Sequence, residues 1–387
     1  MLSATGSPTI TIHIAYVTAG AGHRRAAEAL AQAARRHLPN ASVECVDVLQ
    51  AGGGSFARLY SEIYVFLIRH CAWLWAFFFR LLDCRAVYAL VQPLRRRWNL
   101  WITRRYCLRL RESQPVVLLA THFLPADLFS DGRTKGWLRG RAVVVVTDWH
   151  PHLFWKSPGV DAVVVSSEAA LRKLAASGIP RDRLHHLGIP IGLPFASKPG
   201  REEARAALGL AADKLTLLIT SGGTTVGRFE EVVRALLALE AKAPGGLQLL
   251  VVCGEDSALR DRLRLDAVKA PLQVFGFVDN MPQLMAAADV VVCKAGGLTI
   301  SEALALGKPI VLYYVVPGQE EMNAAFVVSP GAAVLAKTPE AVSAMIDSFL
   351  RSPQRLKQLS RAAARLGRPD AADEIFRTLV LPFVEKG

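Results

Sequence analysis

The six cysteines, Cys45, Cys71, Cys84, Cys107, Cys253 and Cys293, include no C-x-x-C pair, and none has a histidine at metal-binding spacing. That argues for reduced thiols rather than a metal site or a disulfide framework. Residues 1–9 lack a basic n-region and a long apolar core, so no signal peptide is expected and the protein should remain in the cytoplasm. There is no G-x-x-x-x-G-K-[ST], which leaves a P-loop triphosphatase unsupported. The first glycine loop also lacks the full G-x-G-x-x-G of a dinucleotide dehydrogenase. Internal repeats, low-complexity tracts and recognised nucleic-acid motifs are missing as well. Acidic residues are short: 33 against 46 basic ones, a net charge of +13, which favours anionic partners such as anionic lipid or phosphorylated substrates.

What is present suits a two-domain enzyme. A chain of 387 residues exceeds one comfortable core, because domains usually run to about 100–200 residues. Its 52% hydrophobic content excludes a largely disordered protein. Ile10 to Thr18 reads as a strand, Ala19-Gly20-Ala21-Gly22 as a flexible loop, and His23 to His37 as an Ala-rich helix. Further strands are predicted at Val43–Val48, Val116–Thr121, Ala142–Thr147 and Ala162–Ser166. Gly188 to Gly200 reads as an interdomain linker. The pattern restarts with strands at Leu215–Thr220, Leu247–Cys253, Leu272–Phe275, Asp289–Cys293 and Pro309–Tyr314. Helices at Pro339–Leu350 and Ser352–Leu366 close it, the final one expected to pack back across the cleft. The expectation is an α/β protein with two tandem doubly wound Rossmann-like domains facing a central cleft, divided as residues 1–192, a linker 193–200, and 201–387.

Two glycine loops stand out in the second half. In the run from Lys294 to Asn323, Gly296-Gly297 allows a sharp turn after a strand, and Thr299 or Ser301 is suited to cap the helix carrying Glu302. A helix N-terminus facing a cleft attracts phosphate, and in an open α/β sheet ligands sit beyond the carboxyl ends of the strands. Ser221-Gly222-Gly223-Thr224-Thr225-Val226-Gly227 lies between strand and helix and offers backbone N–H groups to an anion; with Gly296-Gly297 it could surround a diphosphate.

The segment from Arg58 to Arg111 breaks the alternation. It crowds Trp73, Trp75, Phe78 and further aromatics ahead of an arginine-rich stretch that includes Arg95, Arg96 and Arg97. Aromatic surface beside arginine suits a membrane interface. The longest apolar run there, Cys71 to Phe79, has nine residues, whereas a spanning helix needs about 20. The segment is expected to lie on an anionic bilayer without crossing it; the alternative is a buried helical hairpin with a solvated arginine face.

These features resemble glycosyltransferase family 28, in particular its monogalactosyldiacylglycerol synthase and processive diacylglycerol glucosyltransferase group. The points of likeness are Gly20-Ala21-Gly22-His23-Arg24, Thr121-His122, Val146-Thr147-Asp148, Gly276 to Met281, Lys294 to Gly297, Ser301-Glu302-Ala303, and Pro317-Gly318-Gln319-Glu320 with Asn323. The resemblance implies a GT-B fold and inverting transfer from a UDP-sugar, without bound metal or cofactor, to a membrane lipid such as diacylglycerol. A transferase of N-acetylglucosamine to a polyprenyl-linked or other glycolipid is the neighbouring alternative, and a non-catalytic lipid- or nucleotide-binding module the other class. It implies peripheral attachment to the inner face of the cell membrane and no nucleic-acid partner; the oligomeric state stays open. His23, after its Gly-x-Gly loop, is suited to take the acceptor's proton. Asp148 would orient His23, meet the acceptor hydroxyl, or serve as a turn residue, and His122 would line the cleft. By matching positions, Phe277 and Val278 would hold the uracil, Glu302 the ribose, and Gln319, Glu320 and Asn323 the sugar, with Lys294 facing the diphosphate.

Overall fold

The computed structural model describes residues 10–18, 21–52, 63, 66–68, 70–223, 225–242, 245–267, 270–318 and 320–385. Gly20, Thr224 and Gln319, all singled out above, lie outside them. Two six-stranded parallel sheets organise the chain. The first contains β1 (Thr11–Tyr16), β2 (Ser42–Asp47), β3 (Val117–Ala120), β4 (Arg141–Val145), β5 (Ala162–Val165) and β6 (Leu184–His186), in the order β2-β1-β3-β4-β5-β6. The second contains β7 (Leu215–Thr220), β8 (Leu247–Val252), β9 (Leu272–Phe275), β10 (Val290–Lys294), β11 (Ile310–Tyr314) and β12 (Ala333–Leu335), in the order β12-β11-β10-β7-β8-β9. Central strands such as Val-Leu-Leu-Ala and Ala-Val-Val-Val are buried throughout, because helices cover both faces of a parallel sheet. Each strand order reverses once, between β1 and β3 and between β7 and β10. Those switch points open a crevice at the carboxyl ends of the strands.

The expected α/β class is therefore observed. Two short edge strands, β6 and β12, were not predicted. With three residues each, they are too brief to display a hydrophobic period. Leu193–Ala196, inside the predicted linker, forms a helical turn with Phe195 buried.

The element that packs back on the first unit also differs from expectation. The helix Pro353–Leu366 stays with the second unit, where Ser360 Oγ donates to the Gly307 carbonyl at 2.8 Å. It is residues 371–380 that return, burying Ala372, Ile375, Phe376, Leu379 and Val380 with Ala27 and Leu30 of helix α1 (Ala21–His37). Arg36 Nη1 and His37 Nε2 bind the Asp373 carboxylate at 2.9 and 3.0 Å, fixing this crossing.

The aromatic segment folds as α2 (Ala72–Leu82), α3 (Arg85–Ile102) and α4 (Arg104–Ser113). Trp73 (73% exposed) and Trp101 (64%), with Phe77, Phe78, Leu90, Leu94 and Trp98, form an apolar outer surface, and Arg97 is exposed. Arg95 and Arg96 do not join that surface, contrary to expectation. They turn onto α5 (Phe123–Thr134), where Arg95 meets Asp127 at 2.5 Å and lies over the Phe154 ring, and Arg96 meets Asp131 at 3.0 Å. Two buried aspartates require such partners, since an unpaired buried charge is costly. Trp75 likewise packs inward with Ile68, Val226 and Val316. No helix among the described residues is long and apolar enough to cross a membrane.

Candidate active site

The crevice between the two sheets is lined from one side by Ala21, Gly22, His23, Arg25 and Asp148, and from the other by Gly222, Gly223, Phe277, Val278, Lys294, Gly296, Gly297, Thr299, Glu302 and Glu320. The units approach so closely that only glycine fits at two contacts. A Cβ at Gly297 would stand 2.5 Å from the Thr147 carbonyl oxygen, and one at Gly223 2.7 Å from Ala21 Cβ.

His23 sits in the first turn of α1, beyond β1. Its Nδ1 lies 2.8 Å from the Thr121 carbonyl oxygen and 2.9 Å from Thr147 Oγ1. A carbonyl only accepts, so Nδ1 carries the proton and the neutral ring keeps its lone pair on Nε2. Thr147 Oγ1 can then donate to the same carbonyl, 3.5 Å away, while Thr121 Oγ1 donates to the His23 carbonyl at 2.9 Å. Burial holds the His23 pKa below 6.5, with the Asp148 charge and the Thr121 bond opposing, so the ring is neutral at pH 7.

Asp148 does not orient His23 by a hydrogen bond. Its carboxylate accepts from Trp155 Nε1 at 3.0 Å and influences the imidazole through charge alone. Burial raises its own pKa, which His23 and the Trp155 bond counteract. His122 does not line the cleft. It is 1% exposed, accepts from Leu124 N at 3.0 Å to cap α5, and supports the His23 ring edge-on, centroids 4.6 Å apart. Its pKa is well below 6.5 for the same reason, burial, so both rings are neutral.

On the opposite wall the helix Gly297–Ala305 begins after Gly296, which has no side chain to cap it. Thr299 and Ser301, expected as caps, lie inside the helix, and Ser301 Oγ donates back to the Gly297 carbonyl at 2.7 Å. The first amides and the positive end of the helix dipole therefore face the cleft. Gly222, with φ of +72°, turns the second glycine loop toward the same point. Lys294 lies between the loops: a Cβ on Gly222 would be 4.0 Å from its Cε, and one on Gly296 3.0 Å from its Nζ. Its ammonium is paired with Glu320 Oε1 at 2.5 Å, and Glu320 Oε2 accepts from Val316 N at 3.1 Å.

Asn323, expected at the sugar, borders the cleft and also ties the two units together. Its Oδ1 accepts from Trp149 N at 3.1 Å and its Nδ2 donates to the Ala295 carbonyl at 3.1 Å. Trp149 also stacks on Phe326 at 4.1 Å and donates from Nε1 to the Gly297 carbonyl. Glu302 faces the cleft from the helix, its carboxyl pushed up to about 7 by burial. Sequence reasoning missed Trp149 and Arg25. Arg25 Nη2 donates to the Val278 carbonyl at 2.9 Å, 253 positions away, with its guanidinium 4.9 Å from the Phe277 ring centroid. Its place two residues after His23 was the one available signal. Among the described residues, no three His, Cys, Asp or Glu side chains are grouped to hold a metal ion.

Comparison with known proteins agrees with this architecture. Residues 23–191 match the family model of monogalactosyldiacylglycerol (MGDG) synthase, and residues 216–375 that of the glycosyltransferase family 28 C-terminal domain. The chain is 33% identical over 239 residues to the processive diacylglycerol beta-glucosyltransferase of Bacillus cereus (strain AH187), covering 61% of this chain and 60% of the relative. The corresponding protein of Bacillus anthracis (strain A0248) is 32% identical over the same extent. The match thus spans about three fifths of the length of these relatives. Among solved structures, Acinetobacter baumannii MurG aligns with a TM-score of 0.58 at 15% identity, covering 96% of this chain and 99% of that one. Anabaena Alr3699/HepE in complex with UDP-glucose aligns with a TM-score of 0.54 at 14% identity, covering 97% and 99%. At such identities the likeness establishes the GT-B fold alone. With both halves of the chain matched by family models, the protein belongs to the monogalactosyldiacylglycerol synthase group of glycosyltransferase family 28.

Proposed function

We propose that the protein is an inverting, metal-independent transferase that moves a hexose from a UDP-sugar to a membrane lipid, diacylglycerol foremost. The carrying observation is the pairing across one cleft of a neutral histidine, its tautomer fixed for proton acceptance, with an uncapped helix N-terminus suited to an anion. The acceptor hydroxyl attacks the anomeric carbon, its proton passes to His23 Nε2, and the sugar–phosphate bond breaks to release UDP. Asp148 stabilises the imidazolium that forms. Lys294, the amides beyond Gly296 and the Gly222-Gly223 loop receive the diphosphate charge, a task that in other enzymes falls to a cation. Phe277 and Val278 hold the base, Glu302 accepts from the ribose hydroxyls, and Glu320, its charge balanced by Lys294, borders the sugar. The aromatic surface around Trp73 and Phe78, with Arg97, docks the protein on the inner face of the membrane.

The relatives named as diacylglycerol glucosyltransferases and the UDP-glucose complex of the Anabaena protein support this donor and acceptor class. A screen of UDP-glucose, UDP-galactose and UDP-N-acetylglucosamine with diacylglycerol-containing vesicles, read by mass spectrometry in the presence of EDTA, tests it. A β-linked glycosyl diacylglycerol is expected. Transfer only to a polyprenyl-linked acceptor would redirect the substrate assignment, and no transfer to any lipid despite UDP binding would refute the enzyme reading.

A further inference from the structure

Arg25 has no part in the proton transfer or in holding the diphosphate, yet it bridges the cleft to a residue 253 positions away. It projects from α1, two residues after His23, and closes on the Phe277–Val278 turn of the other unit. There it donates to the Val278 carbonyl at 2.9 Å and lies over the Phe277 ring, with Asp279 at 4.0 Å. Phe277 is 51% exposed, so the guanidinium covers an aromatic face otherwise open to the cleft. The side chain is itself about a third exposed and lines the same cavity as Glu302.

Among the described residues, Glu302 is the acidic residue in this cavity with no hydrogen-bonded or ion-paired partner. Of the charged groups lining the same cavity, Arg25 and Glu28 come from α1, Asp148 follows β4, Asp279 lies on the 276–280 turn, and Lys294 at the end of β10 pairs with Glu320 beyond β11. Burial raises the Glu302 carboxyl, and Arg25 is the one charge that opposes the rise.

We propose that Arg25 is a donor-positioning residue supplied by the acceptor half: it fixes the Phe277–Val278 wall from across the cleft and brings its positive charge into the cavity where Glu302 meets the donor's ribose. This rests on the donor-site reading above. It also makes donor grip depend on the residue neighbouring the base, so the donor is held fully only when the two units are closed on each other.

The test is calorimetric titration of the full-length protein with UDP-glucose, whose esterified diphosphate does not titrate, between pH 6 and 8.5. Wild-type affinity is expected to rise with pH through a midpoint at about 7 and to level off about one unit above it, as Glu302 ionises. R25Q should weaken binding at pH 7 by about tenfold or more, equivalent to about 1.4 kcal/mol, and move the rise to higher pH. R25K, keeping the charge without the planar fork, should retain the wild-type midpoint with intermediate affinity. E302Q should flatten the profile. Wild-type affinity and midpoint in R25Q would overturn the inference while leaving the donor site intact. Failure of the wild-type protein to bind UDP-glucose at any pH would remove the donor-site reading and this inference together.

Discussion

Replacing Gly297 by alanine isolates the geometry on which the site depends. The added Cβ would lie 2.5 Å from the Thr147 carbonyl oxygen, whereas ordinary contact begins near 3.4 Å, so the two walls must separate by about 0.9 Å. Thr147 O is backbone, directly before Asp148, and cannot swing aside as a long side chain would. The backbone at Gly297 has no positive φ, and alanine is the better helix former by about 1 kcal/mol, so the helix itself does not suffer. What changes is the distance between the anion-binding helix start and His23. A misplacement of about 1 Å can cost about 10²-fold in rate, equivalent to about 2.7 kcal/mol of transition-state stabilisation. G297A is therefore expected to lose about 10²-fold in kcat/KM for glycolipid formation, measured with labelled UDP-glucose and lipid vesicles. Its UDP affinity should fall far less, by no more than about tenfold or about 1.4 kcal/mol, the loss expected if Arg25 no longer reaches the donor wall. Transfer within about threefold of wild type would refute the argument that this close approach aligns the two halves.

The pH profile should separate two groups. The acid limb of kcat, set by His23, is expected below pH 6.5, because burial disfavours the imidazolium and the ring remains a base to lower pH. The limb of kcat/KM for the donor should fall near 7, where free-enzyme Glu302 loses its charge on acidification; coincident limbs would contradict this assignment. R95A should destabilise the fold by about 3 kcal/mol, because it leaves the buried Asp127 carboxylate with only the neutral amides of Gln92 and Asn99 as partners. Its vesicle binding, measured on folded protein at low temperature, should match wild type. Replacing Trp73 and Phe78 with serine should release the protein from anionic vesicles in a sedimentation assay without changing UDP affinity; unchanged sedimentation would exclude this surface as the docking face.

Much of the architecture was readable in sequence because buried parallel strands are written as apolar runs punctuated by glycine, as at Leu215–Thr220 followed by Ser221-Gly222-Gly223. His23 could be singled out for a related reason, since it follows such a loop at the start of a helix; Glu302, in the second turn of its helix, stood out through the family resemblance. What could not be read were relations between distant segments. Nothing near Asn323 indicates that its two side-chain atoms tie Trp149 to Ala295, and nothing near Arg95 indicates that buried aspartates on α5 will draw it inward. An arginine-rich, aromatic stretch has the same composition whether its charges face lipid or a neighbouring helix; here Arg97 is exposed and its two predecessors pair with aspartates of α5. A return of the last helix onto the first unit was expected, but the residues that make it were not readable, since the Asp373 anchor depends on Arg36 and His37 at the far end of the chain.

The most direct test of the account compares wild type with His23→Ala in one experiment: transfer of labelled hexose from UDP-glucose to diacylglycerol vesicles, with UDP affinity measured on the same preparations. The account predicts a fall in transfer of about 10²- to 10⁴-fold at unchanged UDP affinity. Wild-type transfer by the alanine variant would contradict the assignment of His23 as the base, and with it the two-walled chemistry proposed for this cleft.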